Sequence, residues 1–130
     1  MNRAEIETLF LHLGNNTPKE FFEKVSDTVH WTVYGKHPLA GVYQSKQAFQ
    51  SATTERLSAL LKDNTLPLKL TNLWVDGDTA IAEMTVDWPT KKGKQFLNHY
   101  CWVCTFEDDQ IVKVRAYMDS VAINEVIDGA

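Results

Sequence analysis

The sequence predicts one α+β domain over residues 1–130, with helices near the N-terminus that cover a strongly curved, antiparallel or mixed sheet near the C-terminus. Its 130 residues, 44% of them apolar, are enough for a single domain with its own core. The first half has the apolar spacing of helices around one strand, and the second half has strand-like segments separated by turn signals. Because such a sheet must bury its concave face, the helices are predicted to cover it.

Two helices are predicted before the first strand. The first ends at Gly14 and carries one apolar stripe at helical spacing, which consists of Ile6, Leu9, Phe10 and Leu13. In the second, Thr17 is placed to cap the helix, Pro18 suits the first turn, and Glu20 stands where a capping-box carboxylate reaches back. The predicted buried side of the second helix is Phe21, Phe22 and Val25.

One strand and a third helix follow. The strand is predicted over residues 27–35, DTVHWTVYG, whose alternation defines two faces: Val29, Trp31 and Val33 on one, and His30, Thr32 and Tyr34 on the other. The sequence KHPLAG then forms a loop, and Ser45 caps a helix that continues to about Leu61.

Four strands joined by short hairpins are predicted after Asn64. Their sequences are LPLKLTNLWV, TAIAEMTVDWP, QFLNHYCWVCTFE and IVKVRAYM, separated by the turn signals DGD, KKGK and DDQ. A closing helix is predicted over about residues 120–127. The predicted order of elements is therefore ααβαββββα.

Charge and motifs exclude several classes of protein. The net charge is −4 and the basic residues are scattered except for Lys91, Lys92 and Lys94 at a predicted hairpin tip, whereas a nucleic-acid surface needs a basic stripe. The apolar stretches are shorter than the roughly 18 residues of a membrane span, and the charged N-terminus is unlike a signal peptide. We therefore predict a cytoplasmic protein with no nucleic-acid partner and no membrane partner.

No cofactor or metal is predicted. The chain has no G-x-G-x-x-G motif and no P-loop. Cys101 and Cys104 form a C-x-x-C, but on a strand their side chains point to opposite faces, and no further ligands complete a metal site. The two cysteines are therefore interpreted as ordinary buried thiols.

Three local sequences, together with the order of elements, resemble the SnoaL-like branch of the nuclear-transport-factor-2-like (NTF2-like) superfamily. They are W-x-V-x-G-x-H-P-L-A-G at residues 31–41, S-K-Q-A-F at 45–49 and F-E-D-D-Q-I-x-x-x-R-A-Y-M-D at 106–119. The resemblance covers nearly the whole chain and implies a cone-shaped domain with an apolar pocket and a homodimer through the outer sheet face. It leaves the reaction open, because this superfamily contains isomerases, cyclases, epoxide hydrolases, dehydratases and non-catalytic binders.

The catalytic sets of related enzymes are missing at the matching positions. The positions that resemble the oxyanion-hole aspartate, the base and the tyrosine of ketosteroid isomerase are Trp102, Thr32 and Phe10. Those that resemble the Asp-Arg-Asp set of limonene epoxide hydrolase are Glu83, Thr85 and Ala116. The acid of SnoaL-type cyclases also has no inward counterpart, since Asp119 lies on the other parity of the last strand.

The ends of two strands supply the main binding candidates. In the segment NHYCW, the resemblance of Trp102 to a pocket position implies that Asn98, Tyr100 and Trp102 line the pocket, with an amide, a phenol and an indole N–H as donors. Met118 on the last strand is expected to face the same pocket. The alternative is a tightly packed aromatic core, in which the phenol and indole still need partners.

The last strand also has an outward side. Arg115 and Tyr117 alternate with the apolar set and are expected on the outer sheet face. Asp119 is expected to cap the closing helix, and a bulge that turned it inward would instead make it a functional candidate.

The segment EMTVDWP allows two registers. Alternation alone buries Ala82, Met84, Val86 and Trp88. The register implied by the resemblance instead turns Glu83, Thr85 and Asp87 toward the pocket and leaves the apolar set for the dimer face. We prefer the second register, in which Asp87 is a candidate catalytic acid or base and Glu83 contacts the ligand; the alternative is a solvated carboxylate near a hairpin.

Other candidates lie on and after the first strand. His37, in the KHPLAG loop, is predicted to reach the pocket mouth and exchange a proton there. Thr32 and Tyr34 are expected to face the ligand, whereas His12 and His99 are expected to be structural.

The sequence therefore predicts a pocket protein for a small, apolar, oxygenated compound. One possibility is an enzyme of isomerase, cyclase, hydrolase or dehydratase type that uses Asp87 and His37 for acid/base chemistry. The other is a non-catalytic ligand-binding or dimerising module, which the loss of the inherited catalytic sets favours. A polar group kept at the pocket floor favours the enzyme, and the enzyme is the function that we prefer.

Overall fold

The computed structural model describes residues 1–129. Its helices and strands are α1 (Arg3–Gly14), α2 (Pro18–Phe22), β1 (Val25–Val33), β2 (Gly41–Tyr43), α3 (Lys46–Phe49), α4 (Glu55–Ser58), β3 (Lys69–Asp76), β4 (Thr79–Pro89), β5 (Gln95–Glu107), β6 (Gln110–Met118) and α5 (Ser120–Gly129). A π-helical turn, Gln50–Thr54, joins α3 to α4, and a 3₁₀ turn, Lys62–Asn64, follows α4. The predicted α+β class is confirmed, and the short strand β2 is an addition to the predicted order.

All six strands form one curved, mixed sheet in the order β2-β1-β6-β5-β4-β3. The three hairpins from β3 to β6 are antiparallel, as predicted. The sequence-distant strands β1 and β6 lie side by side and parallel, with Trp31 opposite Val114 and Val33 opposite Ala116. This pairing places Trp31 of β1 beside β6, with β5 next to β6 on the far side.

The predicted capping box of α2 is wrong. The Thr17 side chain makes no cap hydrogen bond to α2; its hydroxyl donates to the backbone carbonyl of His12 at 3.2 Å. The Glu20 carboxylate lies 3.0 Å from Nδ1 of His12 instead. These contacts join the end of α1 to the start of α2, and they agree with the structural role expected for His12.

The preferred register of β4 is also wrong, and simple alternation is right. Met84 and Val86 are buried in the core, whereas Asp87 is exposed and Glu83 and Thr85 are half-buried on the outer face. Strand β4 pairs along its full length with β5, so that Met84 lies opposite Tyr100 on the same face. In the other register, the side chains of Glu83, Thr85 and Asp87 would face the apolar core and lose their contact with water. Burying such polar groups without hydrogen-bond partners is energetically costly.

An aromatic cluster fills the space between the helices and the concave sheet. The ring of Trp31 stacks on Phe49 at a centroid distance of 3.7 Å and an angle of 19°. It meets Trp102 edge to face, at 5.0 Å and 85°, and Trp102 in turn lies 6.0 Å from Phe21. Because these rings come from two strands and two helices, the cluster fixes how the helices cover the sheet.

The junction between β6 and α5 is held by two side chains. The Asp119 carboxylate accepts a hydrogen bond from the backbone N–H of Val121 at 2.9 Å, which is the predicted N-cap interaction. The Asn98 side-chain oxygen accepts hydrogen bonds from the backbone N–H groups of Asp119, at 3.2 Å, and His99, at 2.8 Å. Asn98 therefore ties β5 to the start of α5.

Candidate functional site

A small internal cavity lies at the centre of the aromatic cluster. Its volume is about 20 Å³, measured as space open to the centre of a water molecule, and this is enough for about one water. The walls come from β1, the loop after it, the helical residues 46–58, the chain before β3, and strands β5 and β6. They consist of Trp31, Val33, Leu39, Phe49, Thr53, Thr54, Leu57, Leu66, Leu68, Tyr100, Trp102, Ala116 and Met118. We call this space the inner cavity.

Three side chains of the inner cavity carry polar atoms with no hydrogen-bond partner among residues 1–129. They are Nε1 of Trp31, the hydroxyl of Tyr100 and Nε1 of Trp102. All three side chains are more than nine-tenths buried. Leaving a buried donor unsatisfied costs about 1–3 kcal/mol, so three around one cavity are an unusual concentration of unmet donors.

An open cleft of about 500 Å³ lies outside the inner cavity. Four residues line both spaces and so form the throat between them: Thr54, Leu66, Leu68 and Trp102. The volume of the cleft is within the range of about 300–1,000 Å³ typical of small-molecule sites. The cleft and the inner cavity are therefore neighbouring spaces on either side of these four residues.

The π-helical turn forms one wall of the throat. The hydroxyls of Thr53 and Thr54 donate back to the carbonyls of Phe49 and Gln50, at 2.7 and 3.4 Å. Such back-bonding competes with the regular helical pattern, and π turns are frequent at functional sites. The sequence predicted an unbroken helix here, because residue spacing alone does not show where a helix widens.

Charge is confined to the cleft and absent from the inner cavity. The described residues of the cleft include Lys19, Lys46, Glu23 and Glu55, whereas the inner-cavity walls hold no carboxylate, imidazole or amine. Burial raises the pKa of the Tyr100 phenol well above its usual range, so this hydroxyl keeps its proton at neutral pH. It is available as a hydrogen-bond donor.

Three sequence-predicted site residues lie at the site. Tyr100, Trp102 and Met118 line the inner cavity, as predicted. Asn98 is buried beside them, but its amide is used at the β6–α5 junction, where Nδ2 also donates to the Asp119 carbonyl at 3.4 Å. The Asn98 amide is therefore engaged within the protein, and its contact with a ligand stays a prediction.

Thr32 and Tyr34 were predicted on the wrong face. Tyr34 is 41% exposed and stacks on Tyr117 of the outer sheet face, at 4.8 Å and 14°. The half-buried Thr32 lies between Val42 and Arg115 on the same face. Burial of an indole is much more favourable than burial of a hydroxyl, so the strand turns Trp31 inward. The alternation of apolar residues along β1 already places Trp31 on the face opposite Thr32 and Tyr34. It was the sequence signal that could have identified Trp31 as a site residue.

The two predicted catalytic residues lie away from the inner cavity. The Asp87 carboxylate is exposed and accepts a hydrogen bond from the Gln95 side chain at 2.7 Å. In the same way, Glu83 on the outer face accepts one from Asn72 at 3.0 Å. The predicted orientation of Asp87 and Glu83 toward the pocket is therefore wrong.

His37 is held within its own loop. Its Nδ1 accepts a hydrogen bond from the backbone N–H of Leu39 at 3.1 Å, and Nε2 lies 3.0 Å from the Tyr34 carbonyl. The neighbouring Gly35 has a φ of +123°, and a Cβ there would lie 2.4 Å from the Ser120 hydroxyl. With both ring nitrogens engaged, His37 shapes the loop that carries Leu39 into the inner-cavity wall.

Neither a metal site nor a membrane helix is found in the described part of the chain. No group of three or more His, Cys, Asp and Glu side chains in residues 1–129 could hold a metal ion. No helix in the same range is long and apolar enough to cross a membrane.

A curved sheet covered by N-terminal helices, with an enclosed apolar site, defines an NTF2-like protein. Residues 6–114 match the SnoaL-like domain family, and the chain belongs to that family. It is 28% identical over 121 residues to the dimerizing cyclase phiC of Fungal sp. (strain ATCC 74256). That match covers 88% of this chain and 52% of the relative, so the chain spans about half of the length of the curated relative.

Solved structures show the same fold. An NTF2-like protein of Burkholderia thailandensis superposes with a TM-score of 0.78 at 20% identity, covering 94% of this chain and 93% of that one. TerC, co-crystallised with polyporic acid, superposes with a TM-score of 0.72 at 17% identity, covering 95% of each chain. At these identities the likeness establishes the fold and not the reaction.

Proposed function

We propose that the protein binds a small, largely apolar, oxygenated compound across the cleft and the inner cavity. The observation that supports this most is the set of three unpartnered donors on Trp31, Tyr100 and Trp102 around one apolar cavity. An oxygen atom of a ligand would satisfy donors that the protein itself leaves unsatisfied. The aliphatic side chains of the throat would cover the body of the same molecule.

We further propose that the protein is an enzyme of the isomerase, cyclase, hydrolase or dehydratase type. Donors fixed around an oxygen atom stabilise negative charge that develops on it during a reaction. Glu23 and Glu55, which line the cleft, replace Asp87 and His37 as the candidate proton acceptors, because they stand on the ligand's path. The name of the curated relative, a cyclase, and the polyporic acid bound to TerC support a small-molecule reaction at this fold.

The second candidate function is binding without catalysis. It is favoured by the absence of any carboxylate, imidazole or amine from the described walls of the inner cavity. A buried proton acceptor is the usual partner of such donors in acid/base catalysis. Turnover separates the two functions, and binding is common to both.

Ligand binding is tested by fluorescence titration with a panel of terpenoid and polyketide-like compounds. The native protein is expected to bind members of the panel, and Tyr100→Phe should weaken this binding by about 2–10-fold, the effect of one net hydrogen bond of about 0.5–1.5 kcal/mol. Tyr117→Phe is the matched control, because it removes the same hydroxyl from the outer face. Failure of the whole panel to bind would contradict the proposal.

Catalysis is tested on whichever compound binds. Conversion is followed by mass spectrometry and NMR, and Glu23→Gln and Glu55→Gln are compared with the native protein. A loss of turnover with unchanged affinity supports the enzyme, whereas a bound compound that is never converted supports the second candidate.

We also propose a homodimer through the outer sheet face. The apolar set first assigned to that face is in the core, but the face has its own apolar strip, in which Trp74, Ile81 and Val103 pair across β3, β4 and β5. Trp74 is 51% exposed in the single chain. Light scattering should give about twice the chain mass of 14.8 kDa, and Trp74→Glu should give the single-chain mass. A native monomer at micromolar concentration would refute the proposed homodimer.

A cytoplasmic location of the protein stays a prediction.

A further inference from the structure

The loop between β1 and β2, residues 34–40, is fixed to α5 near its start. The backbone N–H of Lys36 donates a hydrogen bond to the Ser120 hydroxyl at 3.1 Å. The Lys36 carbonyl accepts a hydrogen bond from the Asn124 side chain at 2.9 Å. Neither a serine hydroxyl nor an asparagine amide changes its charge near neutral pH, so Lys36 is held in the same way over that range.

Leu39, three residues further along the loop, is held differently. Its backbone N–H donates to Nδ1 of His37 at 3.1 Å, and its carbonyl accepts from the Tyr43 hydroxyl at 2.8 Å. The Leu39 side chain is 1% exposed and forms part of the inner-cavity wall. The backbone of this wall residue is therefore bound to two side chains that can titrate.

The contact with Leu39 requires the neutral form of His37. A backbone N–H can only donate, so Nδ1 must accept, and in the neutral ring Nε2 then carries the proton and donates to the Tyr34 carbonyl at 3.0 Å. A proton on Nδ1 would place two donors against each other and remove the hydrogen bond. Burial raises the pKa of the Tyr43 phenol, so Tyr43 keeps its proton. Of the two holders of Leu39, only the histidine changes its charge near neutral pH.

No countercharge is paired with the His37 ring in the described part of the chain. The titratable groups in the loop and on the elements around it are Tyr34, Lys36, Tyr43, Tyr117, Asp119 and Glu125. The Asp119 carboxylate accepts the Val121 N–H, and the ion pairs found in residues 1–129 do not include His37. The hydrogen bond to Leu39 therefore depends on the protonation of the ring itself.

We propose that His37 is a pH-dependent latch, whose neutral form holds Leu39 in the inner-cavity wall and whose protonated form releases residues 37–40. His37 is a positioning residue, because it acts on the cavity through Leu39. Release of Leu39 removes part of the wall, so access to the inner cavity rises as the pH falls from about 8 to about 5, where histidine side chains take up a proton. The latch does not depend on the proposed function, because the wall opens without a ligand.

Hydrogen exchange of single backbone amides, followed by NMR on the native protein without ligand, tests the latch. Each rate is expressed as a protection factor relative to an unfolded peptide at the same pH, so that only the opening of the structure is compared. The protection factor of the Leu39 amide is expected to fall by about 2–10-fold between about pH 8 and about pH 5, the effect of one net hydrogen bond. The Lys36 amide, bound to Ser120, is the internal control and should keep its protection factor.

Three variants assign the effect to the His37 ring. His37→Asn keeps an acceptor, because an asparagine side chain accepts from the backbone N–H two residues further on, but it takes up no proton. Leu39 should then be protected about equally at both pH values. His37→Ala has no acceptor and should give low protection of Leu39 at both. His99→Asn removes a histidine from the exposed outer face and should leave the native pH dependence intact.

Three results would overturn the latch. They are a Leu39 protection factor that does not change with pH in the native protein, a pH dependence that persists in His37→Asn, and an equal fall of the Leu39 and Lys36 protection factors. The last result would show that the whole loop or domain opens, rather than the part that His37 holds. All three would leave the proposed ligand site standing, whereas failure of the terpenoid and polyketide-like panel to bind would leave the latch standing.

Discussion

Met84→Asp is expected to lower the free energy of unfolding by about 3–5 kcal/mol or more. Met84 is buried on the concave face of β4, opposite Tyr100 of β5. A carboxylate there would be buried within the hydrophobic core, and an unpaired buried charge costs about 3–5 kcal/mol or more. Such a cost is a large part of the total stability of about 5–15 kcal/mol of a domain. Circular dichroism and urea unfolding measure the effect.

Thr85→Asp is the matched control, one residue along the same strand. Thr85 is on the outer face, where its hydroxyl lies 3.2 Å from Nδ1 of His99. A carboxylate at this place stays in contact with water, so the free energy of unfolding should change by no more than about 1 kcal/mol. The opposite result, an unfolded Thr85→Asp and a stable Met84→Asp, would restore the register that the family resemblance implied.

Trp102→Ala is expected to abolish ligand binding and to lower the free energy of unfolding by about 3 kcal/mol, the low end of the range of about 3–5 kcal/mol for deleting a packed aromatic residue. Trp102 lines the throat on both of its sides, toward the cleft and toward the inner cavity. Its removal therefore enlarges a space that already exists.

Trp31→Ala is the comparison for this prediction. Trp31 is fully buried and is packed against both Phe49 and Trp102, so its deletion should cost about 5 kcal/mol. Urea unfolding of both variants and fluorescence titration of Trp102→Ala give the order of the costs. If Trp102→Ala were the more damaging substitution and the native protein bound nothing, Trp102 would be a packing residue rather than part of a binding site.

Sequence patterns predicted the order of elements because each pattern is local. Helical spacing defined α1 down to its last residue, Gly14, and the turn signals placed the three hairpins between β3 and β6. The caps were less predictable. Asp119 caps α5 as expected, but Glu20 pairs with His12, because a histidine brought close by the turn between two helices competes with the backbone for the same carboxylate.

The candidate site was half predictable. The pocket placement of Tyr100 and Trp102 followed from the family resemblance together with alternation on β5, and that of Met118 from alternation on β6. Trp31 was missed because the resemblance placed Thr32, on the opposite face of β1, at a pocket position. Asn98 shows a different limit. Its burial could be predicted, but its use depends on Asp119, a residue 21 positions away in the chain, and no local pattern shows such a contact.

The parallel pairing of β1 with β6 has a consequence for synthesis on the ribosome. Residues 25–33 leave the ribosome early, and their neighbours on β6, residues 111–116, follow only after some 80 residues more. Until then β2–β1 and the β3–β4–β5 meander are two separate pieces, each with an unpaired edge beside the gap. Closing so long a loop is slow. A nascent chain that stalls before β6 therefore exposes two unpaired strand edges and is a target for chaperones.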